Sequence, residues 1–259
     1  MTTRTSTDAA LATYCLRLGD DALVLSHRLG EWVTRAPQIE EDVALANIGL
    51  DLLGQARALL TRSGELAAGD GPAATEDDLA YWRDERAFTN VHLVEQPRGD
   101  FADVMVRLLW FAAYQHALYA ALVDHPDPTL GGVAGKAVKE VAYHLDHATQ
   151  WVLRLGDGTA ESHRRAQDAV AAVAPYVDEL FTDDVVVTDL HDAGLAVLPS
   201  SLRPGVESVV TGVLRRATLT PVTPTWHARG GRRGVHSESM GPMLAVMQHL
   251  ARSHPGASW

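Results

Sequence analysis

The chain has 259 residues, near the upper limit for one hydrophobic core, so its length allows one large domain or two small ones. Apolar residues make up 46% of it and charged residues 21%, the composition of a packed globular protein, which excludes a largely disordered chain. Thirty-three acids against 22 bases leave a formal charge of −11, which repels phosphate backbones, so no nucleic-acid partner is expected.

The apolar residues recur with a helical period. In the first segment Leu11, Cys15, Leu18, Ala22, Leu25, Leu29 and Trp32 step by four and three, a narrow stripe suited to bundle packing. Ser6 to Asp8 offer capping side chains ahead of it, residues 1–10 read as a flexible N-terminal extension, and Pro37 follows its end. Residues 40–65 are apolar around most of the helix circumference, with Asn47, Asp51 and Gln55 forming a polar stripe. A loop rich in Gly, Ala and Pro (67–74) leads to Thr75 and Asp78, spaced as a capping box for a short helix towards Phe88. After a break at Gln96-Pro97-Arg98-Gly99, residues 100–124 carry Phe101, Val104, Leu108, Phe111 and Leu118 at helical spacing. His-Pro-Asp-Pro (125–128) turns the chain into a fourth long helix over 129–155, stopped by Gly156 and Gly158. A fifth helix is expected over 159–181, then a Val-Val-Val-Thr stretch (185–188) and a Pro-punctuated loop, then helices near 204–219 and 238–252. Four long helices with mostly short connections predict an all-α fold, a four-helix bundle with additional C-terminal helices in a single domain, 1–259.

The longest uninterrupted apolar run, 169–177, falls well short of the ~20 residues a bilayer span needs, so no membrane segment is expected. The first residues hold no apolar stretch of a secretory signal. Cys15 is alone, which rules out an internal disulfide or a cysteine-based metal site and points to the cytoplasm. Phosphate-binding glycine loops and the Gly-x-Ser-x-Gly elbow are absent from the sequence, and Cys15 on its apolar stripe reads as a core thiol.

A long bundle with polar stripes raises the question of di-iron carboxylate chemistry. That chemistry needs a Glu from each of two helices and a Glu-x-x-His from each of the other two, because i, i+3 spacing sets both ligands on one inward face. None of the 12 histidines has an acid three residues before it, so a standard di-iron site is excluded. What remains is Asp51, His116, and Glu140 with His144 one turn on. One reading is an irregular metal site at Glu140, His144 and His116, the basis of an autonomous metal-dependent oxygenase or oxidase. The other, which carries more weight, is a vestigial polar core with Lys136 neutralising Glu140, since a metal site seldom persists after losing every ligand pair. Arg83-Asp84-Glu85-Arg86 reads as a solvated face or an interface patch. Arg229, Arg232 and Arg233, spaced by glycines and free of acids, read as a flexible basic arm that docks an acidic partner or a ligand phosphate, or as an exposed loop.

Several strings together resemble a known family. They are Arg-Leu-Gly-Glu-Trp (28–32), Asn-Ile-Gly-Leu-Asp-Leu-Leu-Gly-Gln-Ala-Arg (47–57), Arg-Asp-Glu-Arg (83–86), Leu-Val-Glu-Gln-Pro (93–97), Lys-Glu-x-x-Tyr-His (139–144) and Gly-x-His-x-Glu-x-x-Gly-Pro-Met-Leu-Ala-x-Met-Gln (234–248). Running in order from about Tyr14 to Trp259, they resemble the PaaC family, the C-type subunits of the multicomponent phenylacetyl-coenzyme A 1,2-epoxidase of aerobic phenylacetate catabolism. The resemblance implies a ferritin-like bundle that binds no cofactor itself and supports a sister subunit holding the di-iron centre. It implies further small subunits, and a reductase with flavin and iron–sulfur groups that draws electrons from NADPH. The assembled enzyme would add one oxygen atom of O₂ across the aromatic ring of phenylacetyl-CoA. The resemblance also implies that the CoA end of the substrate, at the subunit interface, is contacted by Ala87, Phe88, Thr89 and Asn90 and by Thr188, Asp189 and Leu190. Phe88, Asn90 and Leu190 match the family pattern, whereas Ala87, Thr89 and the rest of the second stretch depart from it.

Overall fold

A computed structural model of the chain describes residues 2–257. It contains ten α-helices: α1 (Thr2–Gly30), α2 (Ile39–Ala68), α3 (Glu76–Tyr81), α4 (His92–Glu95), α5 (Phe101–Leu122), α6 (Pro128–Gly156), α7 (Ala160–Val177), α8 (Val185–Asp192), α9 (Pro199–Arg216) and α10 (Met240–Ser253). Among the described residues there is no strand. The fold is all-α and ferritin-like: the long helices α1 and α2 pack as one hairpin, α5 and α6 as another, and α2 lies against α6 to join them.

The caps explain where several helices begin. Asp100 accepts from the amides of Ala102 and Asp103 ahead of α5, and Asp127 accepts from those of Thr129 and Leu130 ahead of α6, where Pro128 takes the first position. The capping box expected at Thr75 and Asp78 forms as read. Asp127 also pairs with Arg62 at 2.7 Å, tying the end of α2 to the start of α6. The most apolar of the long helices, α5, is buried around most of its circumference, because α6, α7 and α9 all pack on it.

Two expectations need correction. α1 begins at Thr2, so Ser6 to Asp8 lie inside the helix instead of capping it, and residues 2–10 are its first turns instead of a flexible extension; Met1 lies outside the described residues. The Val-Val-Val-Thr stretch is the first turn of α8, started by the Asp184 carboxylate on the Val187 amide at 3.2 Å. α2 is apolar enough, by length and composition alone, to cross a membrane, a test that the core helix of a bundle passes equally. One side of it is buried, mostly against α1, and the other presents Ile39, Val43, Leu50 and Leu53 on the surface.

Candidate functional site

The polar stripe of α2 meets α5 and α6 where a ferritin-like fold would hold its metals. His144 is fully buried, and its Nε2 lies 3.0 Å from the Asp51 carboxylate. Burial lowers the His144 pKa below its ordinary value despite that carboxylate, so the neutral ring donates through Nε2–H and leaves Nδ1, which has no partner, bare. Gln55 donates to Glu140 at 3.3 Å and accepts from Tyr119 at 3.2 Å and from Gln115 at 3.4 Å. Lys136 reaches Glu140 at 2.9 Å. The structure thus brings Asp51, Glu140 and His144 into one region. His116 is half-buried and outside this network; Gln115 and Tyr119 take the inward positions on α5.

This set does not fit a di-iron centre. Where paired carboxylates would have to neutralise two metal ions, α2 and α5 supply the neutral amides of Gln55 and Gln115, and Lys136 already engages one of the two acids. Among the described residues, no three His, Cys, Asp or Glu side chains are arranged to hold a metal. A turn further along α6, His147 Nε2 approaches Glu41 at 3.2 Å without hydrogen-bond geometry, and burial holds that imidazole below its ordinary pKa.

The second cluster surrounds residues 17–21 of α1. Asp20 accepts from the Thr89 amide at 2.8 Å and hydroxyl at 2.9 Å and pairs with Arg83, whose guanidinium lies over the Phe88 ring at 4.1 Å. Asn90 donates to Glu95 at 2.9 Å. Phe88 and Asn90 are completely buried and their side chains serve the interior, whereas Ala87 is exposed and Thr89 partly so. On α8, Leu190 is buried while Thr188 and Asp189 are exposed. Arg17 holds both oxygens of Asp184, at 3.0 and 2.6 Å, so both stretches are fastened to the same part of α1.

The three arginines do not act as one arm. Arg232 is largely buried, gripping Asp21 at 2.7 and 3.0 Å and donating to the carbonyls of Thr89 and Arg17. Reading it as a docking residue is therefore corrected: its charge is spent inside the protein. The segment is also sewn down, by the Gly231 amide on Glu179 at 2.8 Å and by His236 on Glu95 at 2.7 Å. Arg229 and Arg233 are exposed and make no hydrogen bond or ion pair among the described residues. They stand at a cavity of about 440 Å³ that sequence reasoning did not find, because its walls come from α1, α5, α8 and the segments at 178–182 and 229–233.

Comparison with known proteins agrees with this arrangement. The family profile described as "Phenylacetic acid catabolic protein" matches residues 1–259. The C-type subunit of the 1,2-phenylacetyl-CoA epoxidase of Escherichia coli (strain K12) is 47% identical over 249 residues, covering 96% of this chain and 99% of that protein. An all-α bundle whose interior polar groups engage one another, matched over its whole length, belongs to the phenylacetic acid catabolic protein family.

Proposed function

We propose that this chain is the non-catalytic, structural subunit of a multicomponent phenylacetyl-CoA 1,2-epoxidase, working in the cytoplasm. It supports a sister subunit that carries the di-iron centre and contacts the CoA end of the substrate; the NADPH-dependent reductase and small subunits complete the assembly. The observation that carries the reading is the interior network, in which Gln55 links Glu140 to Tyr119 and Gln115, and Lys136 neutralises Glu140. Such a network rigidifies a bundle. A rigid bundle is what a neighbouring oxygenase needs to hold its substrate channel in register. At the CoA contact, the exposed Ala87, Thr188 and Asp189 and the partly exposed Thr89 meet the ligand, while buried Phe88, Asn90 and Leu190 position their backbone.

The test compares the tag-free chain alone with the chain co-expressed with a di-iron subunit. Iron and turnover are expected only in the co-purified complex. Stoichiometric iron, or turnover, in the isolated chain overturns the reading.

A further inference from the structure

The cavity beside α8 has features of a ligand site that no part of the interior network explains. Its acids are all engaged: Asp184 with Arg17, Asp178 with Arg203, and Glu179 with His92 and the Gly231 amide. Of its four arginines Arg17 and Arg232 are paired, with Asp184 and Asp21, whereas Arg229 and Arg233 have no counter-charge among the described residues of a chain of net −11. Arg17 Nε, buried on its wall, lacks a hydrogen-bond partner, and Tyr14 Oη, which faces the backbone amide of Val197, has no acceptor for its own hydrogen. Buried donors left unpaired are costly, and such groups in a cavity await an acceptor. Leu18, Leu180, Val187 and Pro199 give the remaining wall an apolar surface. Two unpaired arginines, apolar walls and about 440 Å³ suit a nucleotide-sized anion.

We propose that this cavity binds the phosphoryl groups of a nucleotide-sized ligand, with Arg229 and Arg233 as the charged clamp and Tyr14 Oη and Arg17 Nε as the inner donors. Its source, on the reading given above, is the phosphorylated adenosine end of coenzyme A. A free phosphate offers the same chemistry. The site is separate from the 87–90 loop, which lines no part of it.

The full-length protein is titrated by calorimetry with coenzyme A, adenosine 3′,5′-bisphosphate and inorganic phosphate at low and high salt. Coenzyme A and the bisphosphate are expected to bind with similar affinity, weakening as salt rises. R229Q/R233Q should weaken both about tenfold or more, and Y14F a few-fold, as charge-assisted and neutral donors respectively are lost. The control R215Q/R216Q removes the same charge from α9 and should leave binding unchanged. Both arginine pairs lie at the surface, so thermal melts should be unaltered. Phosphate binding as tightly as the bisphosphate, with the same loss in R229Q/R233Q, assigns the site to free phosphate and removes coenzyme A as its source. No saturable binding, or an equal loss in the control, overturns the proposal. None of these outcomes depends on where the iron resides, so this test can fail independently of the structural-subunit reading.

Discussion

His236 Nδ1 lies 2.7 Å from Glu95 Oε2, and His236 Nε2 lies 2.9 Å from the carbonyl oxygen of Phe88. Both ring nitrogens face acceptors, and only the doubly protonated ring can donate to both. His236 is therefore a buried imidazolium, its side chain closed off from solvent along with that of Glu95. It fastens the 230–239 segment to the loop before α4.

Stability should consequently depend on pH in a defined direction. Burial pulls the His236 pKa down, but Glu95 and the Phe88 carbonyl outweigh it and raise the pKa above 6.5; Glu85 adds to the effect. His92, 6.3 Å away ring to ring, is raised by Glu179 against burial and against the His236 charge. These contributions are complete below about pH 6.5 and are lost as pH rises through the folded-state values. Glu95 and Glu179 are lowered below 4.5, burial being outweighed by their His and amide donors, so their contributions fail as pH falls through the folded-state values. His27, His144 and His147, held neutral chiefly by burial, also oppose folding on acidification. Urea denaturation across pH should show an alkaline decline of at most about 1.4 kcal/mol per pH unit for each of the two rings. His236→Gln should reduce it, leaving the part that His92 supplies, and an unchanged alkaline slope would show that the His236 ring is not charged.

The Arg232–Asp21 pair gives a second prediction. Asp21 is almost inaccessible and Arg232 mostly so, and Asp21 also accepts from the Val91 amide at 2.9 Å. Removing one partner leaves the other charge buried and unpaired, so D21N and R232Q should each cost about 3–5 kcal/mol. The double variant should cost clearly less than the sum, as a denaturation cycle will read. Additive losses would mean that the two charges do not interact.

Periodicity in the sequence located the long helices and several of their ends, because an apolar stripe and a capping side chain are local signals. The inward side of α5 was misread by one position. A single residue turns a helix by about 100°, so favouring His116 over its neighbour Gln115 exchanged the outer face for the inner one. α8 was hidden by three valines and a threonine, whose β-branched side chains disfavour a helix. It forms because Asp184 caps it and Val187 and Leu190 are buried. Arg232 looked free because its counter-charge lies 211 residues away in sequence. The cavity was invisible for the same reason: no short stretch of chain supplies it.

Glu140→Ala separates the interior network from a metal site. It removes acceptors from Gln55 and Lys136, and Gln55 is almost fully buried. A stability loss of about 1–3 kcal/mol is expected from the donor left unsatisfied. Glu140→Gln should recover much of it. Metal content of the isolated chain and turnover of the assembled enzyme, normalised to complex formed, should not change. A loss of turnover in complex that assembles normally would make Glu140 a participant in the chemistry.

Gly234 provides the sharpest test of the 230–239 segment. Its φ of 72° lies in the left-handed region, and an added Cβ would stand 2.0 Å from the carbonyl oxygen of Arg86, a backbone atom that cannot rotate away. Gly234→Ala should therefore cost at least about 2 kcal/mol. Gly132, exposed within α6 with open space around its Cβ position, is the matched control: Gly132→Ala should stabilise by roughly 0.5–1 kcal/mol through helix propensity. If Gly234 holds the segment in register, amide exchange in Gly234→Ala should accelerate first at Val235 and Ser237, whose amides donate to Gly230 and Glu95. Uniform acceleration across the bundle instead would mean that this segment unfolds only with the whole protein, as one cooperative unit.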